Sequence, residues 1–130
     1  MIIGEPKLAG AEQHCLRLLR WLPRDRFELT ALFMKSNPAN SWPSFPTDIE
    51  VECFANAKVL VQAQRLRRLQ KTKHFDVMYA CAFETNVMAA LAVLDQPQVG
   101  LITGYRGFDT PSQLPHRLAR NLSEVRADNI

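Results

Sequence analysis

Short apolar runs alternate with segments of helical periodicity along most of the chain, and this alternation restricts the fold more than any other feature. Met1-Ile2-Ile3 is a clipped apolar run, and Gly4-Glu5-Pro6-Lys7 follows it as a loop. From Ala11 onward, Ala11, Cys15, Leu18, Leu19 and Leu22 recur at helical spacing until Pro23 stops the pattern. Residues 27–34 begin with alternation and end as an apolar run, the signature of a strand entering a sheet interior. Residues 35–47 hold three prolines and two asparagines and read as loop. Residues 49–54 alternate with Glu50 and Glu52 on one side, which predicts an edge strand with one wet face.

The second half repeats the scheme. Val59, Leu60, Ala63, Leu66 and Leu69 predict a helix over about 58–72, with basic residues crowding its C-terminal half where they complement the helix dipole. Residues 76–82 read as a buried strand, and a helix starting at Glu84 or Thr85 has an apolar body over 87–94 that requires cover on more than one side. Residues 99–103 predict the next strand. A glycine-bracketed loop, Gly104-Tyr105-Arg106-Gly107-Phe108-Asp109, leaves its carboxyl end, and Pro115, Leu118, Leu122 and Val125 mark a last helix. Strands and helices in alternation with short links imply βαβ crossovers and a mainly parallel sheet covered on both faces. The expected class is α/β, a Rossmann-like three-layer αβα sandwich forming one domain over 1–130.

Composition agrees with that reading. At 130 residues, 47% hydrophobic and 22% charged, the chain is long enough for one real core. No run of about 18 apolar residues is present to span a bilayer, and the start lacks the pattern of a secretory signal. Cys15, Cys53 and Cys81 are odd in number, far apart and mostly in apolar segments, which suits buried thiols in a reducing, cytoplasmic setting better than a disulfide framework. The net charge of +3 is too slight to argue for nucleic acid. Its distribution is uneven: Lys58, Arg65, Arg67, Arg68, Lys71 and Lys73 lie in a stretch without an acidic residue. This helix either contacts anionic lipid headgroups, making the protein peripheral to a membrane, or presents a solvated outer face.

Ligands in open α/β sheets sit outside the carboxyl ends of the strands, so the loops of interest are 4–10, 82–85 and 103–109. Ala9-Gly10-Ala11-Glu12 opens the first helix, where small residues let a backbone approach a ligand and free N–H groups favour an anion; a tight turn needs the same residue types. Glu84, Arg106 and Asp109 project from the other two loops. Arginine there would clamp a phosphate or carboxylate and the acids would hold sugar hydroxyls, or all three are solvated loop charge. Neither Gly-x-Gly-x-x-Gly nor a phosphate-loop lysine motif is present. His14, His74 and His116 share no metal-ligand spacing and read as surface residues, so no metal is expected. Cys81, at a strand end, is the only thiol placed where a reactive group would stand, although burial without reactivity is the expected state.

The order of these motifs resembles that of the N-terminal, acceptor-side domain of family-four glycosyltransferases of the GT-B fold. Ala9-Gly10-Ala11-Glu12 resembles the Gly-Gly-Ala-Glu loop that opens the family's first helix. Phe75-Asp76-Val77-Met78-Tyr79 is similar to its fourth strand, and residues 86–92 to the alanine-rich helix after it. Ile102-Thr103-Gly104-Tyr105-Arg106 resembles the fifth strand with its trailing arginine, and residues 126–130 resemble a segment broken before its end. The resemblance implies a truncated chain that lacks the C-terminal sugar-nucleotide-binding domain and is inactive in isolation. It implies transfer of a sugar from a nucleotide-sugar, a co-substrate rather than a cofactor, to a glycan, lipid or small-molecule acceptor. Gly10, Ala11 and Arg106 are the substrate-binding residues the resemblance implies, Glu84 is added to them from its place on the strand-end loop, and no residue is assigned a catalytic role. Ala9 replaces the family's first loop glycine, and the histidine often found after the fourth strand is absent around residues 81–83. The alternatives are a non-enzymatic α/β ligand-binding or partner-docking module and another GT-B enzyme such as a nucleotide-sugar epimerase.

Overall fold

The computed structural model describes residues 1–5, 9–35, 45–55 and 57–104. Within them the chain runs β1 (Ile2–Ile3), α1 (Gly10–Trp21), β2 (Thr30–Phe33), β3 (Glu50–Cys53), α2 (Val59–Lys73), β4 (Val77–Ala80), α3 (Phe83–Ala92) and β5 (Gly100–Thr103). The strands form one sheet in the order β3-β2-β1-β4-β5, and every pairing is parallel. This is the expected Rossmann-like αβα arrangement, with a sheet that is wholly rather than mainly parallel. The expected last helix, the loop beyond Gly104 with Arg106 and Asp109, and His116 lie outside the described residues.

Because successive strand residues point to opposite faces, each strand feeds two cores. On one face Ile2, Leu32, Met34, Met78, Ala80 and Leu101 meet Ala63 and Leu66 of α2 and Met88, Ala89 and Ala92 of α3. On the other, Ile3, Ala31, Phe33 and Cys81 meet Cys15, Leu16 and Leu19 of α1. The small alanines of α3 let that helix sit close to the sheet, and Met88, Ala89, Ala90 and Ala92 are all buried, but the helix ends at Ala92, short of the expected 94, and Leu94 beyond it is exposed.

The helix ends follow from local chemistry. Glu12 in the first turn of α1 and Arg20 in the last complement its dipole. Beyond Pro23, the Arg24 guanidinium folds back and donates to the carbonyls of Leu19 (2.6 Å) and Leu22 (2.5 Å), which satisfies acceptors that a helix C-terminus leaves open. The same side chain donates to Asp48 at 2.6 Å and so fastens α1 to the approach to β3. Helix α2 ends at His74, whose φ of 53° reverses the chain. There the buried Gln70 side chain donates to the carbonyl of Phe75 (2.9 Å) and accepts from its N–H (3.1 Å).

Several details differ from the sequence reading. Strand β2 starts at Thr30 rather than at residue 27, because its pairing with β3 begins at Thr30 and Glu50 and leaves Phe27 and Glu28 exposed. Strand β3 is the expected edge. Helix α3 starts one residue earlier than expected, at Phe83. Thr85 Oγ1 accepts from the N–H of Ala82 (3.0 Å) and donates to its carbonyl (2.8 Å), stabilising a start at a residue that has no capping side chain of its own. The basic helix is not a uniformly free cationic face. Arg67 pairs with Asp95, Lys73 with Glu50 at 2.5 Å, and Arg65 donates to the carbonyl of Phe54 at 2.8 Å. Lys58, Arg68 and Lys71 are exposed. No helix among the described residues is long and apolar enough to cross a membrane.

Candidate functional site

The chain lays down β1, β2 and β3 in one direction across the sheet and then returns to place β4 and β5 on the other side of β1. The order therefore reverses between β1 and β4. In parallel sheets a crevice opens at such a point, because the connections leaving the two neighbouring strands go to opposite faces. Here the connection from β1 enters α1 on one face, and that from β4 enters α3 on the other.

Two adjoining hollows occupy this place. The outer is an open depression of about 640 Å³ lined by Ala9, Gly10, Ala11, Glu12 and Ala82. The inner is narrow and reaches down between Ile3, Gly4, Cys15, Cys81 and Thr85. Two of the three loops singled out from the sequence thus meet, 4–10 and 82–85. Of the third, Gly104 is described, and a Cβ placed on it would lie 3.3 Å from Cβ of Cys81, so the end of β5 passes close to the end of β4.

Gly10 and Ala11 lie where the sequence placed them, in the first turn of α1 and facing the depression. Gly10 is exposed and a Cβ on it would meet no atom within 4 Å, so its small size is not required by packing. Ala9 makes no side-chain cap, so the first-turn N–H groups of α1 have no acceptor from that residue. Glu84 is exposed at the second position of α3, beside the depression rather than within its lining. Arg106 lies outside the described residues.

The rim carries charges that sequence spacing did not connect. Lys35, just beyond β2, donates to Glu5 at 2.5 Å. The hydrogen bond to Glu5 is the main cause holding the Lys35 ammonium above its usual range, and the charge of Glu84 adds to it. Glu12 lines both hollows, and its Oε1 lies 4.0 Å from the Cβ position of Gly4. Among the described residues near the crevice there are thus three carboxylates: Glu12 in its lining, Glu84 beside it, and Glu5 paired with Lys35. Such a rim suits hydroxyl groups, which donate to carboxylates, better than it suits a free phosphate.

Below the rim, Cys15 and Cys81 are buried thiols in no disulfide, as expected for each singly, but their sulfurs are 3.2 Å apart. His14 corrects the surface reading of the histidines: its Nε2 is 3.0 Å from Tyr79 Oη, so it lies over the sheet rather than in open solvent. His74 is exposed at the end of α2. No cluster of three or more His, Cys, Asp or Glu side chains suited to a metal ion occurs among the described residues.

A second depression of about 530 Å³ lies at the opposite end of the sheet, lined by Arg20, Trp21, Leu22, Pro23, Arg24, Pro46 and Asp48. It is formed by surface side chains at the end of α1 and is remote from the strand carboxyl ends, so the switch-point crevice is the better candidate. No family model, curated protein or solved structure matches the chain.

Proposed function

We propose that the chain is the acceptor-binding half of a GT-B-type glycosyltransferase, one that passes a sugar from a nucleotide-sugar to a hydroxyl-bearing acceptor. The observation that carries this reading is the crevice between β1 and β4, where Gly10 and Ala11 of α1 face Ala82 across an open, carboxylate-rimmed hollow. A neutral, hydroxyl-rich acceptor fits that rim. Its hydroxyls would donate to Glu12 and Glu84, while the unbranched surface of Gly10 and Ala11 would let a sugar ring lie against the backbone. Arg106 joins the site on the strength of the sequence resemblance alone.

In this reading a second domain holds the nucleotide-sugar, and charge on the departing diphosphate is stabilised by helix N-termini and basic groups. The protein works in the cytoplasm. Lys58, just before α2, and Arg68 and Lys71 within it are the groups that would meet an anionic membrane surface, and peripheral attachment rests on them.

The test is donor turnover by the product of the complete reading frame. UDP-glucose, UDP-N-acetylglucosamine and GDP-mannose are each incubated with mixed saccharide and lipid acceptors, and free nucleoside diphosphate is measured. Acceptor-dependent release that falls at least tenfold in Gly10→Val supports the proposal. Saccharide binding at the crevice without turnover of any donor points instead to a non-enzymatic ligand-binding module. Conversion of the donor sugar without an acceptor points to an epimerase.

A further inference from the structure

Cys15 sits in the second turn of α1 and Cys81 immediately after β4, 66 positions along the chain, yet the two sulfurs are 3.2 Å apart. Both residues are buried, with 1% and 3% of their surface exposed. Cys81 Sγ also lies 3.6 Å from the carbonyl oxygen of Ala11, so the pair sits directly beneath the first turn of α1. Both cysteines line the narrow inner hollow that opens beside Gly4, Glu12 and Ala82.

We propose that Cys15 and Cys81 form a redox-modification site, closing to an intramolecular disulfide when a small peroxide reaches the pair. A disulfide needs its sulfurs at about 2.05 Å, so the pair must close by roughly 1.1 Å, a motion within reach of side-chain rotation and a slight shift of α1 on the sheet. The step balances with hydrogen peroxide as oxidant. One thiol takes an oxygen atom from the peroxide, giving a sulfenic acid and one water. The other sulfur then attacks that sulfenic sulfur, the S–S bond forms, and a second water leaves. The thiol pair loses two electrons and the peroxide gains them.

The location gives the bond its consequences. It would tie α1 to the end of β4 across the topological switch point and fix the floor of the crevice. It would also close a loop of more than sixty residues, which restricts the unfolded chain strongly. The hydrogen bond between the two sulfurs and their burial keep the Cys15 thiol protonated, and because the thiolate is the form that attacks peroxide, the oxidation is slow at neutral pH and quickens as pH rises. Cys53, half-buried on the edge strand β3, serves as an internal control.

The experiment treats the purified protein with hydrogen peroxide, quenches in acid, unfolds it, alkylates with N-ethylmaleimide, and reads intact mass and peptide maps. The expected result is loss of two hydrogens, alkylation of Cys53 alone where untreated protein alkylates at all three cysteines, and a linked peptide pair containing Cys15 and Cys81. The midpoint of thermal unfolding should rise by about 10 °C and fall back on adding dithiothreitol. Cys15→Ser and Cys81→Ser should each remove the linked peptide. Three alkylated cysteines after peroxide, a linkage through Cys53, or over-oxidation of Cys15 or Cys81 without a link would each overturn the proposal. The wild-type map decides the matter even if neither variant folds.

Discussion

Asn86 Nδ2 donates to the carbonyl of Gly104 at 3.1 Å, which fastens the first turn of α3 to the carboxyl end of β5. The side chain is fully buried, and its Oδ1 has no hydrogen-bond partner among the described residues. Asn86→Ala leaves a cavity and removes the donor from a strand-end carbonyl, so it should destabilise the protein by about 1–3 kcal/mol. Urea unfolding followed by circular dichroism measures this. An unchanged midpoint would show that the contact contributes nothing to folding.

Gln62 makes a related contact on α2, donating to the carbonyl of Met34 at 2.8 Å with its own Oε1 buried and without a partner among the described residues. Gln62→Glu replaces that donor with a carboxyl that must be protonated to donate. Burial and the facing carbonyl raise the folded-state pKa of such a group above its unfolded value of about 4.3. The variant therefore loses stability as pH rises from about 4.3 toward the raised value, by about 1.4 kcal/mol per unit over that window. Relative to wild type, the deficit should be small at pH 4 and large at pH 7. A deficit independent of pH would contradict the burial of this group.

Two glycines separate structural from functional need. Gly10→Ala meets open space in the first turn of a helix, so its stability should be unchanged or raised by up to about 1 kcal/mol. Gly104→Ala brings a methyl to 3.3 Å from Cys81 Cβ and should cost about 1 kcal/mol. Thermal unfolding of both variants, side by side, gives the comparison.

Two surface ion pairs contribute to the acid response. The hydrogen bond from Lys73 is the main cause holding the Glu50 carboxyl below its usual 4.5, and the one from Arg24 holds Asp48 below its usual 3.8. Because the folded values are depressed, the stability these pairs supply is full above the ordinary carboxylate range and is lost as pH falls through the depressed values. Between pH 5 and 7 they add no slope. Glu50→Gln should flatten the decline of melting temperature below about pH 4.5 and do little at neutrality, since such exposed pairs are weak.

Much of the layer structure was legible because it rests on periodicity. Cys15 and Leu19 repeat at helical spacing and both point into the core, and Glu50 and Glu52 alternate on an edge strand. The loop 9–12 stood out because small residues at a helix start have few uses. What spacing could not give was the strand order, since that depends on which distant runs pair. Without the order, Gly10 and Ala82 had no reason to face one crevice, nor Cys15 and Cys81 to touch. Lys35 and Glu5 read as unrelated loop charges 30 positions apart. Gln62 gave no signal, because a glutamine in a polar helix looks solvated until the neighbouring strand end is known.

Under the proposed function, the crevice between β1 and β4 receives a hydroxyl-rich acceptor. The direct measurement is a titration of the 15N-labelled protein with mono- and oligosaccharides, read by amide chemical-shift changes, in wild type and in Gly10→Ile. The account predicts saturable shifts concentrated at Gly10, Ala11, Glu12, Ala82 and Glu84 that vanish in the variant while its spectrum otherwise stays folded. Shifts that cluster around Trp21 and Arg24 instead, or that persist in Gly10→Ile, would contradict it.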